Sequence, residues 1–266
     1  MDFPLSRQIA PNLNFVAETG STNADLVANA VISNDFQVLV AGFQTAGKGR
    51  SGRDWVAPQG SSLFVSVLLR PEGVAANHFS WLPLLTGLAM TKTVSALLPG
   101  KAVSLKWPND VLVEDCKISG VLSELIADST AVVVGAGLNV LQSKSELPIE
   151  TATSLKVEGS TQDSLDQILA TYLQNLKNLY SAWLVAGGDA NKCGLRQEVM
   201  SSCSTLGVSD SYRSGNKKVR VILPGEQQLL GDAIGIDDTG RLIVQPASDK
   251  EVVAVAAGDI VHLRHN

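Results

Sequence analysis

The sequence predicts an α+β protein: a body of sheet and helices followed by a small all-β barrel. Three observations carry this. The strand-like segments are linked mostly by short turns instead of alternating with helices, which disfavours a doubly wound fold. Two long segments have helical periodicity. The last part of the chain contains only short strand signals separated by turn residues, five of them in about 50 residues.

Taken in order, residues 13–16 read as a short strand ending at Glu18, Thr19 and Gly20. Ser21, Thr22 and Asn23 follow as helix-capping side chains, before a helix over residues 25–31. Residues 38–42 form a β-branched, apolar strand, and a polar loop runs from there to Gly60. The next strand is 63–69, closed by Arg70 and Pro71. Trp81, Leu84, Leu85 and Leu88 fall at i, i+3, i+4, i+7, which predicts a helix over 81–98 stopped by Pro99 and Gly100. Residues 103–107, 111–113, 117–126 and 131–134 read as an antiparallel meander. A second helix covers 165–185, with an apolar stripe from Leu165 to Trp183 that belongs to a core. From Ser201 to Lys218 the chain is rich in Ser and Gly and reads as a linker or long loop. The barrel strands are 219–223, 228–234, 241–244, 252–255 and 260–263, with turns at Pro224 and Gly225, 237–240 and 257–259.

The 266 residues allow one large domain, or a medium one plus a small one. A composition of 45% hydrophobic and 18% charged residues fits a globular chain with a sizeable core. The formal net charge of −5 argues against DNA as the main partner. Three cysteines, Cys116, Cys193 and Cys203, form no C-x-x-C pair, so neither a disulfide framework nor a zinc site is suggested. The N-terminus has no signal-like run and no segment reaches the roughly 18 apolar residues of a membrane span. These features place the protein in the cytoplasm and away from the membrane.

The chemistry concentrates in the loop from Gly42 to Trp55. Its glycines let backbone N–H groups approach a ligand, and Lys48, Arg50 and Arg53 add three cations suited to phosphate. On spacing alone a solvated basic turn fits as well. Gly42, Gly47 and Lys48 imitate the start of a Walker A motif. The next residue is Gly49, not the Ser or Thr that would bind Mg²⁺, and the following segment is a poor helix start, so a P-loop is excluded. A second cluster is Lys106, Trp107, Pro108, Asn109 and Asp110, where the turn sets an amide beside a carboxylate. Trp107 precedes proline and should be extended. Lys117 lies at the start of the next hairpin arm, followed by Gly120. A third cluster, Gly135, Ala136, Gly137, Leu138 and Asn139, follows an apolar strand and reads on its own as a tight turn.

Together and in order, five segments resemble the biotin–protein ligases. They are the triplet Ser21-Thr22-Asn23, the basic loop from Gly47 to Trp55, Lys106 to Asp110, Lys117 to Glu124, and Gly135 to Asn139. The resemblance extends through the C-terminal barrel. It implies a catalytic α+β domain with a mixed sheet over residues 1–204 and an SH3-like barrel over 205–266. It implies ATP-dependent formation of biotinyl-5′-AMP, with Mg²⁺ accompanying ATP and no metal site made by protein alone. Biotin would then pass to a lysine of a biotin carboxyl carrier protein domain. The biotin set would be Ser21, Thr22, Asn23, Gln44, Lys48, Gly49, Arg50, Lys117, Gly120 and Gly135. The adenylate set would be Arg50, Arg53, Trp55, Asn109, Lys117 and Asn139, with Trp55 packing on adenine. Lys117 and Arg50 would serve catalysis, and Asp110 is a candidate general base. Lys48 departs from the family, which has arginine there; lysine keeps the charge but loses the planar fork. The stretch 208–217 looks longer than the family's usual entry into the barrel. About 20 residues precede Ser21, too few for the helix-turn-helix domain of repressor relatives, so the monofunctional type is expected, with no DNA binding. A homodimer is compatible with this reading. The alternatives are a lipoate–protein ligase of the same superfamily and a non-catalytic biotin- or nucleotide-sensing protein.

Overall fold

The structure, a computed structural model, describes residues 1–127, 130–206, 217–223, 227–248 and 251–262. Its body is a seven-stranded mixed sheet built from β1 (Leu13–Val16), β2 (Gln37–Ala41), β3 (Ser62–Leu69), β4 (Val103–Lys106), β5 (Asp110–Val113), β6 (Cys116–Leu125) and β7 (Val132–Asn139). The order is β1-β2-β3-β7-β6-β5-β4. β1 and β2 are parallel, and every other neighbouring pair is antiparallel. The predicted meander is therefore present as β4 to β7.

Two helices cover one face. In α3 (Leu82–Leu97) eleven of sixteen residues are buried, because it lies between the sheet, the second long helix and the C-terminal unit. α4 (Leu165–Val185) has the predicted boundaries, and its N-cap Ser164 accepts from the Gln167 N–H. Ile168, Leu169, Tyr172, Leu173, Leu176 and Trp183 form its buried stripe. Two helices were not expected. α1 (Pro4–Ile9) docks on α4 through Asp166, whose carboxylate accepts from the Leu5 N–H (3.0 Å), the Ser6 N–H (2.9 Å) and the Ser6 hydroxyl (2.7 Å). α5 (Leu195–Ser202) buries Leu195 and Val199 and ends at Ser202, just inside the start of the linker expected from Ser201.

The opposite face carries α2 (Thr22–Ala28), which packs Leu26 against Leu39, Leu68 and Val133. α2 starts three residues earlier than expected. Only Ser21 is the cap, and Thr22 and Asn23 already lie in the first turn. The glycine cluster expected as a turn is instead the second half of β7.

The C-terminal unit is a five-stranded antiparallel sheet of β8 (Lys217–Ile222), β9 (Gln228–Ile236), β10 (Leu242–Pro246), β11 (Val253–Val255) and β12 (Asp259–His262), ordered β11-β10-β9-β8-β12. All five expected strands are present, and among the described residues no ladder joins β11 to β12. The expected turn at Pro224 and Gly225, the end of the last strand at Leu263 and the long segment 208–216 lie outside the described residues. The sheet is fixed to the body at the turn after β9. Trp81 Nε1 donates to the Asp238 carbonyl (2.8 Å), Trp107 Nε1 to the Gly240 carbonyl (3.1 Å) and Arg196 Nε to the Ile236 carbonyl (2.7 Å). Among the described residues no helix is long and apolar enough to cross a membrane.

Candidate functional site

Strands alternate their side chains between two faces. On β3, Leu63, Val65, Val67 and Leu69 join the core under α3 and α4. Phe64 and Ser66 point the other way. On β7 the same alternation sends Gly135, Gly137 and Asn139 to that second face. Small residues there leave a hollow that α2, the basic loop and the segment around Ile149 wall into a cavity of about 520 Å³. The glycines are required by close approach. A Cβ on Gly135 would lie 2.1 Å from Asn23 Oδ1, and one on Gly137 would lie 2.7 Å from the Trp55 ring.

One end of the cavity is polar and neutral. Gln44 Oε1 accepts from the Thr22 N–H (2.8 Å) and hydroxyl (3.0 Å). The Ser66 hydroxyl sits 2.6 Å from Asn23 Oδ1 and 2.7 Å from Thr22 Oγ1. Asn23 Nδ2 donates to the Leu122 carbonyl (3.2 Å) and to Glu124 Oε2 (2.8 Å). Asn23 is thus fully engaged by protein and fixes the wall of this end.

The other end is cationic. The basic loop folds back on itself, with the Trp55 N–H bonded to the Gly47 carbonyl (2.9 Å) and the Gly49 N–H to the Arg53 carbonyl (2.6 Å). Its tip is a turn over Arg50–Gly52, with Ser51 at φ 55° and Gly52 at φ 73°. The loop enters no α-helix, in keeping with the exclusion of a P-loop. Arg50 Nη1 donates to Asn109 Oδ1 (3.0 Å). Burial lowers the pKa of Arg50, opposed by the nearby Asp259 and Asp110 carboxylates. Arg53 pairs with Asp259 at 2.9 Å. Lys48 is exposed. An anion resting on the Gly49 N–H would have to displace its contact with Arg53.

Lys117 stands between the two ends. Its backbone is clamped on both sides, N–H to the Thr151 carbonyl (2.7 Å) and carbonyl to the Thr153 N–H (2.8 Å). Its ammonium lies 2.7 Å from Asp110 Oδ1 and 5.5 Å from the centre of the Trp55 ring. Asn109 Nδ2 bonds the Val121 carbonyl (2.8 Å), which ties the turn before β5 to β6. Asn139 Nδ2 bonds the Thr153 carbonyl (2.9 Å) and its Oδ1 accepts from Gln142 (3.1 Å). Lys106 adds a fifth cation nearby, its pKa lowered by burial against the opposing effect of Asp110.

All the residues expected to bind biotin or the adenylate or to serve catalysis line this one cavity: Ser21, Thr22, Asn23, Gln44, Lys48, Gly49, Arg50, Arg53, Trp55, Asn109, Asp110, Lys117, Gly120, Gly135 and Asn139. The Trp55 ring lies close against Gly137 and beside Lys117. Ser66, Phe64, Gly137 and Ile149 also line the cavity, and Glu124 holds Asn23 behind it, without a role expected for them from the sequence. Of these, Ser66 left a signal, as the one polar residue inside the apolar run of β3. A long pocket with neutral hydrogen-bonding groups at one end and fixed cations at the other suits a ligand with a polar head, an apolar middle and an anionic tail.

The sequence matches the Biotin/lipoate A/B protein ligase family over residues 21–139 and the Biotin protein ligase C terminal domain over residues 214–263. It is 38% identical to the biotin–[acetyl-CoA-carboxylase] ligase of Mycobacterium tuberculosis, an alignment covering 95% of this chain and 89% of that protein. It is 28% identical to the enzyme of the same name from Paracoccus denitrificans, over 91% of this chain and 97% of that one. The fold superposes with a TM-score of 0.73 on the biotin protein ligase of Aquifex aeolicus solved in complex with biotin and ATP. That pair is 26% identical, with coverage of 96% of this chain and 99% of the other.

Proposed function

The chain belongs to the biotin protein ligase family, and we propose that its cavity is where biotin is activated and handed on. The chain is an ATP-dependent biotin ligase acting on biotin-dependent carboxylases. The finer assignment concerns its residues. Ser21, Thr22, Asn23 and Gln44 receive the ureido head of biotin, and the glycine-lined floor takes its ring and chain. The carboxylate then reaches Lys117 and Arg50. ATP binds over Trp55, Arg53, Asn109 and Asn139, and enters as its Mg²⁺ complex. In the first step a carboxylate oxygen attacks the α-phosphorus and the bond to pyrophosphate breaks. Two anions must approach for this, and cations already fixed in place lower that barrier without reorganising.

In the second step the amine of a lysine on a biotin carboxyl carrier domain attacks the mixed-anhydride carbonyl and AMP departs. Asp110 accepts the amine proton once it has parted from Lys117. Residues 1–204 form the catalytic domain and 205–266 the C-terminal domain. Three unpaired thiols support a cytoplasmic setting, and the net charge of −5 supports a protein acceptor and not DNA.

The observation that carries the reading is Lys117, one ammonium placed between the neutral end and the cationic end of a single cavity. The test supplies purified protein with MgATP and biotin. Biotin-dependent pyrophosphate release and biotinylation of a carrier domain are expected. Release with lipoate or octanoate and none with biotin would transfer the chain to the lipoate branch. Tight binding of both ligands without turnover would make it a sensor.

A further inference from the structure

We propose that Asp259, on the C-terminal sheet, is a positioning residue for the adenylation step, holding the basic loop closed over the cavity. The inference rests on reading that cavity as the adenylation site. Asp259 opens β12, and its strand is registered against Ile222 of β8. That sheet is a fixed platform, since Ser80, Trp81, Trp107 and Arg196 of the body all donate to carbonyls of residues 236–240.

From this platform a relay runs into the loop tip. Asp259 Oδ1 receives Arg53 Nη2 at 2.9 Å, across 206 positions of sequence. The same guanidinium donates through Nε to the Arg50 carbonyl at 3.1 Å. Arg50 in turn reaches back to the Gly258 carbonyl with Nη2 (3.5 Å) while Nη1 holds Asn109 (3.0 Å). Two arginines of the loop are thus fastened to two consecutive residues of the other domain. The turn they fasten has Ser51 in the left-handed region, which a residue with a Cβ enters unwillingly, so its shape calls for an external hold.

Half-exposed ion pairs such as Arg53–Asp259 add little to global stability. The consequence of losing it should therefore fall on closure of the loop and not on folding. This separates a positioning role from a structural one.

The experiment measures biotin-dependent pyrophosphate release by Asp259→Asn, Asp259→Glu and Asp259→Lys in the full chain with MgATP, together with thermal melting. Asp259→Asn should raise KM for ATP roughly three- to fivefold, the size of effect a partly exposed ion pair supports. Asp259→Lys should raise it about tenfold or more, because a third cation then faces Arg50 and Arg53. In Asp259→Asn, kcat should stay within about twofold and Tm within about 2 °C, and Asp259→Glu should restore the wild-type KM. An unchanged or lower KM in both Asp259→Asn and Asp259→Lys overturns the proposal, as does a loss that Asp259→Glu does not restore. Absence of biotin-dependent release by the wild-type protein is a different failure, which removes the reading of the cavity itself.

Discussion

The two faces of the seven-stranded sheet are made by the same strands and do opposite things. Under α3 and α4, β3 and β7 present Leu63, Val65, Val67, Val134 and Leu138, all closed off from solvent. One residue further along each strand, the other face presents Ser66, Gly135, Gly137 and Asn139. The difference lies only in side-chain volume and polarity. A full-sized side chain fills its share of a close-packed layer, and a glycine withholds it. The cavity is thus a gap in the packing pattern, written at alternate positions of strands that are otherwise core.

The sharpest way to break this contrast is to remove the cation that crosses the hollow. Lys117→Ala should cut pyrophosphate formation by about 10²–10³-fold, as loss of one preorganised charge-stabilising group does. Biotin affinity measured by calorimetry should fall only a few-fold. Equal losses in both would take Lys117 out of the reaction centre.

Neighbouring residues on opposite faces provide the next test. Leu138→Ala, on the filled side, should cost about 2–5 kcal/mol in denaturant unfolding and leave KM for biotin unchanged in the folded fraction. Gly137→Ala pushes a methyl against the Trp55 ring, and should cost about 1–3 kcal/mol while raising KM for biotin or ATP. Matching kinetic effects from the two would show that the faces are not separate.

A smaller effect concerns the tie of α1 to α4 behind the filled face. Burial would raise the pKa of Asp166, but donation by Leu5 and Ser6 outweighs it and the net shift is downward. The carboxylate therefore stabilises the fold above its unfolded pKa, about 3.9, and this contribution is lost as the pH falls through the lower folded value. Between about pH 5 and pH 3, Tm of the wild type should fall more steeply than that of Asp166→Asn. Parallel curves would remove the tie from the acid response.

The smallest effect is expected at Lys48, whose side chain is exposed. Lys48→Arg should change kcat/KM for biotin by no more than about twofold, the range of a surface substitution. A gain of tenfold would mean that the guanidinium fork matters there after all.

Much of this was legible in the sequence because period and spacing report it. The helix over 165–185 has its boundaries fixed by Ser164 and by an unbroken apolar stripe, and the meander follows from short turns between β-branched runs. Five ordered motifs contain most of the residues that line the cavity. What escaped had no local signature. α1 buries few of its own side chains and is held by a carboxylate 160 positions away, and α5 buries only two residues. Gly135 and Gly137 looked like a turn because a glycine pair marks either a bend or a close neighbour, and only the fold supplies Asn23 and Trp55 as those neighbours. The bond from Arg53 to Asp259 crosses domains, beyond the reach of any window along the chain.

The distribution of indoles has an optical consequence. The chain has four tryptophans, and Trp81, Trp107 and Trp183 are each at most 2% exposed. Trp55 alone of the four lines the cavity, against Gly120 and Gly137 and with the Lys117 ammonium 5.5 Å from the centre of its ring. Three emitters are shielded from solvent, and the fourth lines the cavity proposed above for biotin and ATP. On that reading the protein carries its own fluorescent reporter of occupancy, and its emission should change when biotin or MgATP is added without a label.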